Sequence, residues 1–267
     1  MITDSHCHLG SSRFTGEERA EVISRAKEAG VHRMVTLATS LDDLALNLEI
    51  ARTAGVSAAI GIHPCDVHNA PDDAVEALAA YVDDPRVCAI GETGLDYFHP
   101  APDGWSAGDF RKRQQDFLRR HFELAENCGL NLVIHTRDRE GRGSFEDAFA
   151  IYSEFSEKVR AVFHCFISEP ELAARVIAKG GLVSFGGVAT FKNAGLVKEA
   201  VKNCPAGRFM METDSPYLAP EPMRGKRNEP AFTMHTASAV ALLRGESLED
   251  LAIHTEAAAE KFFRWAK

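Results

Sequence analysis

The sequence has no run of apolar residues long enough to span a bilayer, which excludes a helical membrane anchor. Its opening, "MITDSHCH", is acidic and polar, not a charged stretch followed by an apolar one as in a secretory leader. The expectation is a cytoplasmic protein with no membrane partner. Its six cysteines are scattered, with no CxxC pair and no dense framework, so a disulfide scaffold is excluded and reduced thiols are expected. Positive charge is in deficit: 30 Lys and Arg face 39 Asp and Glu, a net charge of −9, which argues against a protein that coats nucleic acid electrostatically. No Pro- or Ser-rich linker interrupts the 267 residues, so one domain over 1–267 is expected, and nothing points to an obligate protein partner.

What the chain does contain is a recurrent pattern. Eight short apolar or β-branched runs each end in polar or glycine-rich sequence: "MITDSH", "RMVTLATS", "SAAIGIHP", "VCAIGETGLD", "LNLVIHTRD", "AVFHCF", "GGLVSFGG" and "RFMMETDSP". Helical stretches lie between them. Thr15-x-x-Glu18 and Ser168-x-x-Glu171 read as helix starts, with Gly30 and Gly180-Gly181 as the matching ends. Strand and helix alternating eight times predict an α/β fold, a (β/α)8 TIM barrel, with a doubly wound sheet as the structural alternative.

In such a barrel the loops at the C-terminal strand ends build the active site. The residues placed there are strongly biased: His6 and His8 on strand one, His63 on three, Glu92 on four, His135 on five, His164 on six and Asp214 on eight. In a strand, side chains two apart share a face, so His6 and His8 point the same way. A single strand-end histidine is usually a hydrogen-bonded structural residue. Several imidazoles and two carboxylates converging on one mouth would be costly to bury uncompensated, and a bound cation satisfies them together. The remaining histidines (His32, His68, His99, His121, His235, His254) fall in helices or loops and read as structural or surface residues.

The motifs "DSHCHL", "GIHP", "GETGLDY", "IHTRD", "FHCF" and "ETDSPYLAP" followed by "RGKRNEP", in this order over essentially the whole chain, resemble the TatD family of metal-dependent deoxyribonucleases. The resemblance implies a barrel of the metal-dependent hydrolase type with two divalent metal ions, cleaving DNA phosphodiesters, often from a 3′ end or in single strands. It implies His6, His8 and Asp214 on one ion, His135 and His164 on the other, Glu92 bridging, and His63 close by on substrate or a ligand. Three positions depart from the family pattern: Gly10, Ile167-Ser168-Glu169 after "FHCF", and Met223 before Arg224. None removes a ligand, and they bear on substrate preference. The stretch from Phe98 to Asp109 is longer than usual and would shape the cleft with Trp105.

Asp214 and His63 are the catalytic candidates, Asp214 as general base, and Glu212 reads as a buried partner of the ligands. Arg137, Arg224 and Arg227 are the phosphate-binding candidates, against a competing reading in which they pair with Asp138, Glu221 or Glu229. Histidine-rich ligation favours Zn, Mn, Fe or Ni over Mg, whereas the family resemblance implies Mg, so the ion is left open. The rival functions are a small-molecule amidohydrolase or lactonase, a D-aminoacyl-tRNA deacylase, and a barrel that only binds metal. Many amidohydrolases bridge their metals with a carbamylated lysine, and "VCAIGETGLDY" has none.

Overall fold

The structure is a computed structural model, and it describes residues 1–265. Eight strands form one parallel sheet in sequence order: β1 (Ile2–Cys7), β2 (Val31–Ala38), β3 (Val56–Ile60), β4 (Val87–Asp96), β5 (Leu132–Arg137), β6 (Ala161–Phe163), β7 (Leu182–Phe185) and β8 (Phe209–Met211). A bridge between Cys7 and Ser215 brings the last strand back to the first and closes the barrel. Between and after the strands come α1 (Gly16–Glu28), α2 (Leu41–Ile50), α3 (Ala74–Leu78), α4 (Ala107–Cys128), α5 (Gly143–Phe155), α6 (Pro170–Ala178), α7 (Gly195–Asn203), α8 (Thr233–Arg244) and α9 (Leu248–Phe262). This is the (β/α)8 barrel and not the doubly wound sheet. No described helix is long and apolar enough to cross a membrane.

Strand alternation sorts the side chains into layers. Val35, Leu37, Ala59, Cys88, Val133, Val162, Leu182 and Met210 form an apolar floor inside the barrel, joined by Ala258, Ala259, Phe262 and Phe263 around the end of α9. Two residues further along their strands, on the same face, stand His135, His164, Ser184 and Glu212. The polar layer therefore rests directly on the apolar floor. α9 plugs the other end: Arg264 N donates to Cys88 O, and Asn131 Nδ2 donates to Phe262 O. Truncating a buried ring such as Phe262 costs about 3–5 kcal/mol. With that end sealed, the strands' C-terminal end is the open mouth.

Two local expectations are corrected. Thr15 is the N-cap of α1 but makes no side-chain cap bond, so the expected capping box is incomplete, and the Glu18 carboxylate pairs with Arg227. Helix α6 starts one residue later than expected, with Glu169 as N-cap, because Pro170 suits the first helical position, where no N–H is needed.

Candidate metal centre

The first ligand group is built by pairing the two ends of the chain. Asp214 N donates to His6 O at 2.9 Å, and His8 N donates to Ser215 O at 2.7 Å, so the end of β1 is tied to the loop after β8. Buried Asp4 locks them further: Oδ1 accepts the Thr213 amide, and the Thr213 hydroxyl donates to Oδ2 at 2.6 Å. Burial pushes the Asp4 carboxyl up to about 8, against the pull of these bonds.

Glu92 is aimed by its glycine neighbours. Gly91 has φ +129° and Gly94 φ +145°, and a Cβ on either would strike the β5 backbone, within 2.6 Å of Val133 O or 2.0 Å of His135 O. Only glycine tolerates both the dihedral and the approach. The register between β4 and β5 shifts between Ile90 and Thr93, an irregularity that turns Glu92 into the barrel mouth.

The two oxygens of Glu92 divide the histidines. Oε2 lies 3.3 Å from His6 Nε2 and 3.5 Å from His8 Nε2, while Asp214 Oδ1 lies 3.3 Å from His8 Nε2 and 3.8 Å from His6 Nε2. Oε1 lies 2.8 Å from His164 Nε2, 3.0 Å from His135 Nδ1 and 3.6 Å from His63 Nε2. Within the groups, His6 Nε2 and His8 Nε2 are 3.3 Å apart, and His135 Nδ1 and His164 Nε2 are 3.2 Å apart. Lone pairs facing each other at that range repel unless a proton or cation lies among them. Glu92 Oε2, His6 Nδ1 and His164 Nδ1 are buried with no hydrogen-bond partner. The donor set is imidazole and carboxylate, and the unpartnered Glu92 Oε2 among converging imidazole nitrogens fits divalent metal ions.

The electrostatics agree. Burial alone would push Glu92 upward, but the His164, His6 and His63 imidazoles facing it hold it well below the ordinary carboxylate value. Burial likewise raises Asp214, but its bond to His8 together with the charges of His8, His6 and His164 outweighs that and lowers it. For His164 burial opposes charge, yet Glu92 and Glu212 hold it well above 6.5.

Partners behind the histidines fix their rings. His135 Nε2 lies 3.2 Å from Asp96 Oδ2, leaving Nδ1 for the centre. Glu212, fully buried, accepts the Cys165 amide at 2.8 Å and the Ser184 hydroxyl, and stands 3.8 Å from His164 Nδ1. His63 differs: its Nδ1 accepts the Cys65 amide at 3.1 Å, which leaves Nε2 as the N–H. A protonated nitrogen is not a ligand atom, so His63 serves Glu92 and the cleft as a donor. Burial drives its pKa down to about 3, keeping it neutral.

Residues 3–264 match the family model described as "TatD related DNase". The chain belongs to the TatD family. It is 34% identical over 266 residues to the uncharacterized metal-dependent hydrolase YabD of Bacillus subtilis, covering 99% of each chain. It is also 34% identical over 258 residues to the uncharacterized metal-dependent hydrolase YcfH of Escherichia coli, covering 94% of this chain and 91% of that one. In fold it is similar to the TatD homolog YJJV from Escherichia coli, with a TM-score of 0.87 at 24% identity over 98% and 97% of the two chains. It is a TatD-family metal-dependent hydrolase.

Around the centre of this TatD-family hydrolase opens a cleft of about 1000 Å³. Its wall carries Arg13, Arg137, Arg224, Lys226 and Arg227. Arg227 is committed elsewhere, to Glu18 and to Arg13 O, which is the loop-shaping role that competes with phosphate binding. Arg137 lies over Phe98 at 4.1 Å, Arg224 over Phe191 at 3.8 Å and Arg13 over Tyr217 at 5.2 Å. Among the described residues, none of these three guanidiniums nor Lys226 has a carboxylate within 4.0 Å. Arg13 escaped the sequence reading; its only signal there was its place five residues after His8. Trp105 does not line the cleft but turns back onto Phe110, and His99 from the same loop lines it instead.

Proposed function

We propose that this hydrolase is a deoxyribonuclease that cleaves phosphodiester bonds of single-stranded DNA or 3′ ends in the cytoplasm, using two divalent ions to which Glu92 would contribute. His6, His8 and Asp214 would hold one, and His135 and His164 the other. Bound there, the ions would lower the pKa of water and offset negative charge growing on the phosphoryl group.

The chain's own groups supply the rest. Asp214, kept ionised beside His8, accepts the proton of the attacking water at its carboxylate. His63 Nε2–H donates a hydrogen bond toward Glu92 or a phosphate oxygen. Arg137 and Arg224 hold phosphate oxygens, their rings' stacking keeping the forks oriented. Tyr217, 46% exposed and 6.0 Å from His8, offers a face on which an unpaired base stacks.

The observation that carries the choice of a polyanion is the set of cleft cations without carboxylate partners. A neutral lactone has no use for them, whereas a phosphate backbone neutralises them. The net charge of −9 is no obstacle, because the ions would dominate the local potential. The test is an Arg137→Ala/Arg224→Ala protein on single-stranded DNA across ionic strength. KM should rise with kcat little changed, and the slope of log KM against log salt should flatten. A parental KM and parental salt slope would refute phosphate binding by these residues.

A further inference from the structure

We propose that Cys65, Asp96 and His99 form an additional metal site, separate from the centre around Glu92 and selective for zinc-like ions because one ligand is a thiolate. The three come from two neighbouring barrel ends: Cys65 from the loop after β3, and Asp96 and His99 from the end of β4 and the turn beyond it. Their ligand atoms all lie within 4.8 Å of one another. Cys65 Sγ is 3.6 Å from His99 Nδ1, and His99 Nδ1 is 3.0 Å from Asp96 Oδ2. A tetrahedral zinc with one sulfur and two lighter ligands sets its donors about 3.3–3.6 Å apart, so small side-chain rotations close the site.

The carboxylate is already positioned. Asp96 is 2% exposed, and its Oδ1 accepts the amides of Phe98 at 3.0 Å and His99 at 2.9 Å, while its own amide donates to Gln114 at 3.0 Å. This leaves Oδ2 for a ligand, with a second lone pair for the His135 Nε2–H at 3.2 Å. His99 is half exposed and can swing without disturbing the core. One sulfur, one nitrogen and one oxygen suit zinc or cobalt and disfavour magnesium. The thiol would release its proton to solvent on binding, His99 would carry its N–H on Nε2, and a thiolate plus a carboxylate would cancel the charge of a divalent ion. The loaded site would then be neutral, one unit more positive than without the ion. It would fix Asp96, and through it the ring of His135, making it a positioning ion at the edge of the cleft.

The experiment strips the full-length protein with chelator, reloads it with Co²⁺ or Zn²⁺, desalts it, and counts metal per chain alongside the near-ultraviolet spectrum of the cobalt form. The centre around Glu92 contains no thiolate, so a cobalt–thiolate charge-transfer band reports the new site alone. The parent should hold one ion more per chain than Cys65→Ser or His99→Ala, and should show a band that Cys65→Ser abolishes. Equal metal counts in the three proteins, no thiolate band in the parent, or a band that survives Cys65→Ser would each overturn the proposal. Each of these outcomes leaves the ions around Glu92 to be counted independently.

Discussion

Replacing Glu92 by glutamine keeps the shape of the side chain and removes the charge on which both histidine groups converge. The carboxylate is 2% exposed, and five imidazole nitrogens lie 2.8 to 3.6 Å from its two oxygens. Removing one partner from a buried charged arrangement costs about 3–5 kcal/mol. At about 1.4 kcal/mol per factor of ten, this is about two to three and a half orders of magnitude in affinity for each ion that the carboxylate touches. Both ions should therefore weaken together, and hydrolysis should fall to background. The assay is metal per chain after equilibration against chelators of graded strength, with the rate on labelled DNA measured on the same samples. Loss of one ion while the other keeps its parental affinity would refute the bridging role. Unchanged stoichiometry with an unchanged rate would refute any role for Glu92 in the centre.

Two further outcomes follow from the same geometry. Asp214→Asn should leave the melting transition near that of the parent yet lower the rate by about 10²–10⁴, the usual contribution of a positioned base; metal retained at a parental rate would show that the base lies elsewhere. His164 is held well above 6.5 by Glu92 and Glu212, so without metal it is an imidazolium at neutral pH, and the ion must displace its proton. Affinity on that side should consequently rise about tenfold per pH unit until the raised pKa is passed, and then level off. A pH-independent affinity between pH 6 and 8 would show that the ring is already neutral.

The strands were legible because their apolar runs are short, β-branched and punctuated, and every one of the eight appears in the barrel. The converging histidines were legible for a related reason: two-residue alternation carries a side chain from the apolar floor to the mouth, as Val133 leads to His135 and Val162 to His164. His63 and Asp214 stand three residues beyond their strands, and what brings them in is backbone pairing with distant parts of the chain, Thr39 just after β2 and His6 in β1. Local pattern does not report such pairing. Nor does it report the tautomer of His63, which is set by the amide of Cys65, or the fate of Arg227, claimed by Glu18 some 209 residues earlier. His99 read as a surface histidine because its partners, Asp96 and Cys65, meet it only after β3 and β4 lie side by side.

The most direct measurement of what this protein does sets labelled single-stranded DNA beside a panel of lactones and carboxylic esters, with metal-stripped protein reloaded in turn with Mg, Mn and Zn. Cleavage of the DNA under at least one ion, its loss on chelation and its return on adding that ion back are the expected results. Turnover of a lactone or ester with no DNA hydrolysis under any of the three would contradict the nuclease assignment, while the barrel and its family membership would stand.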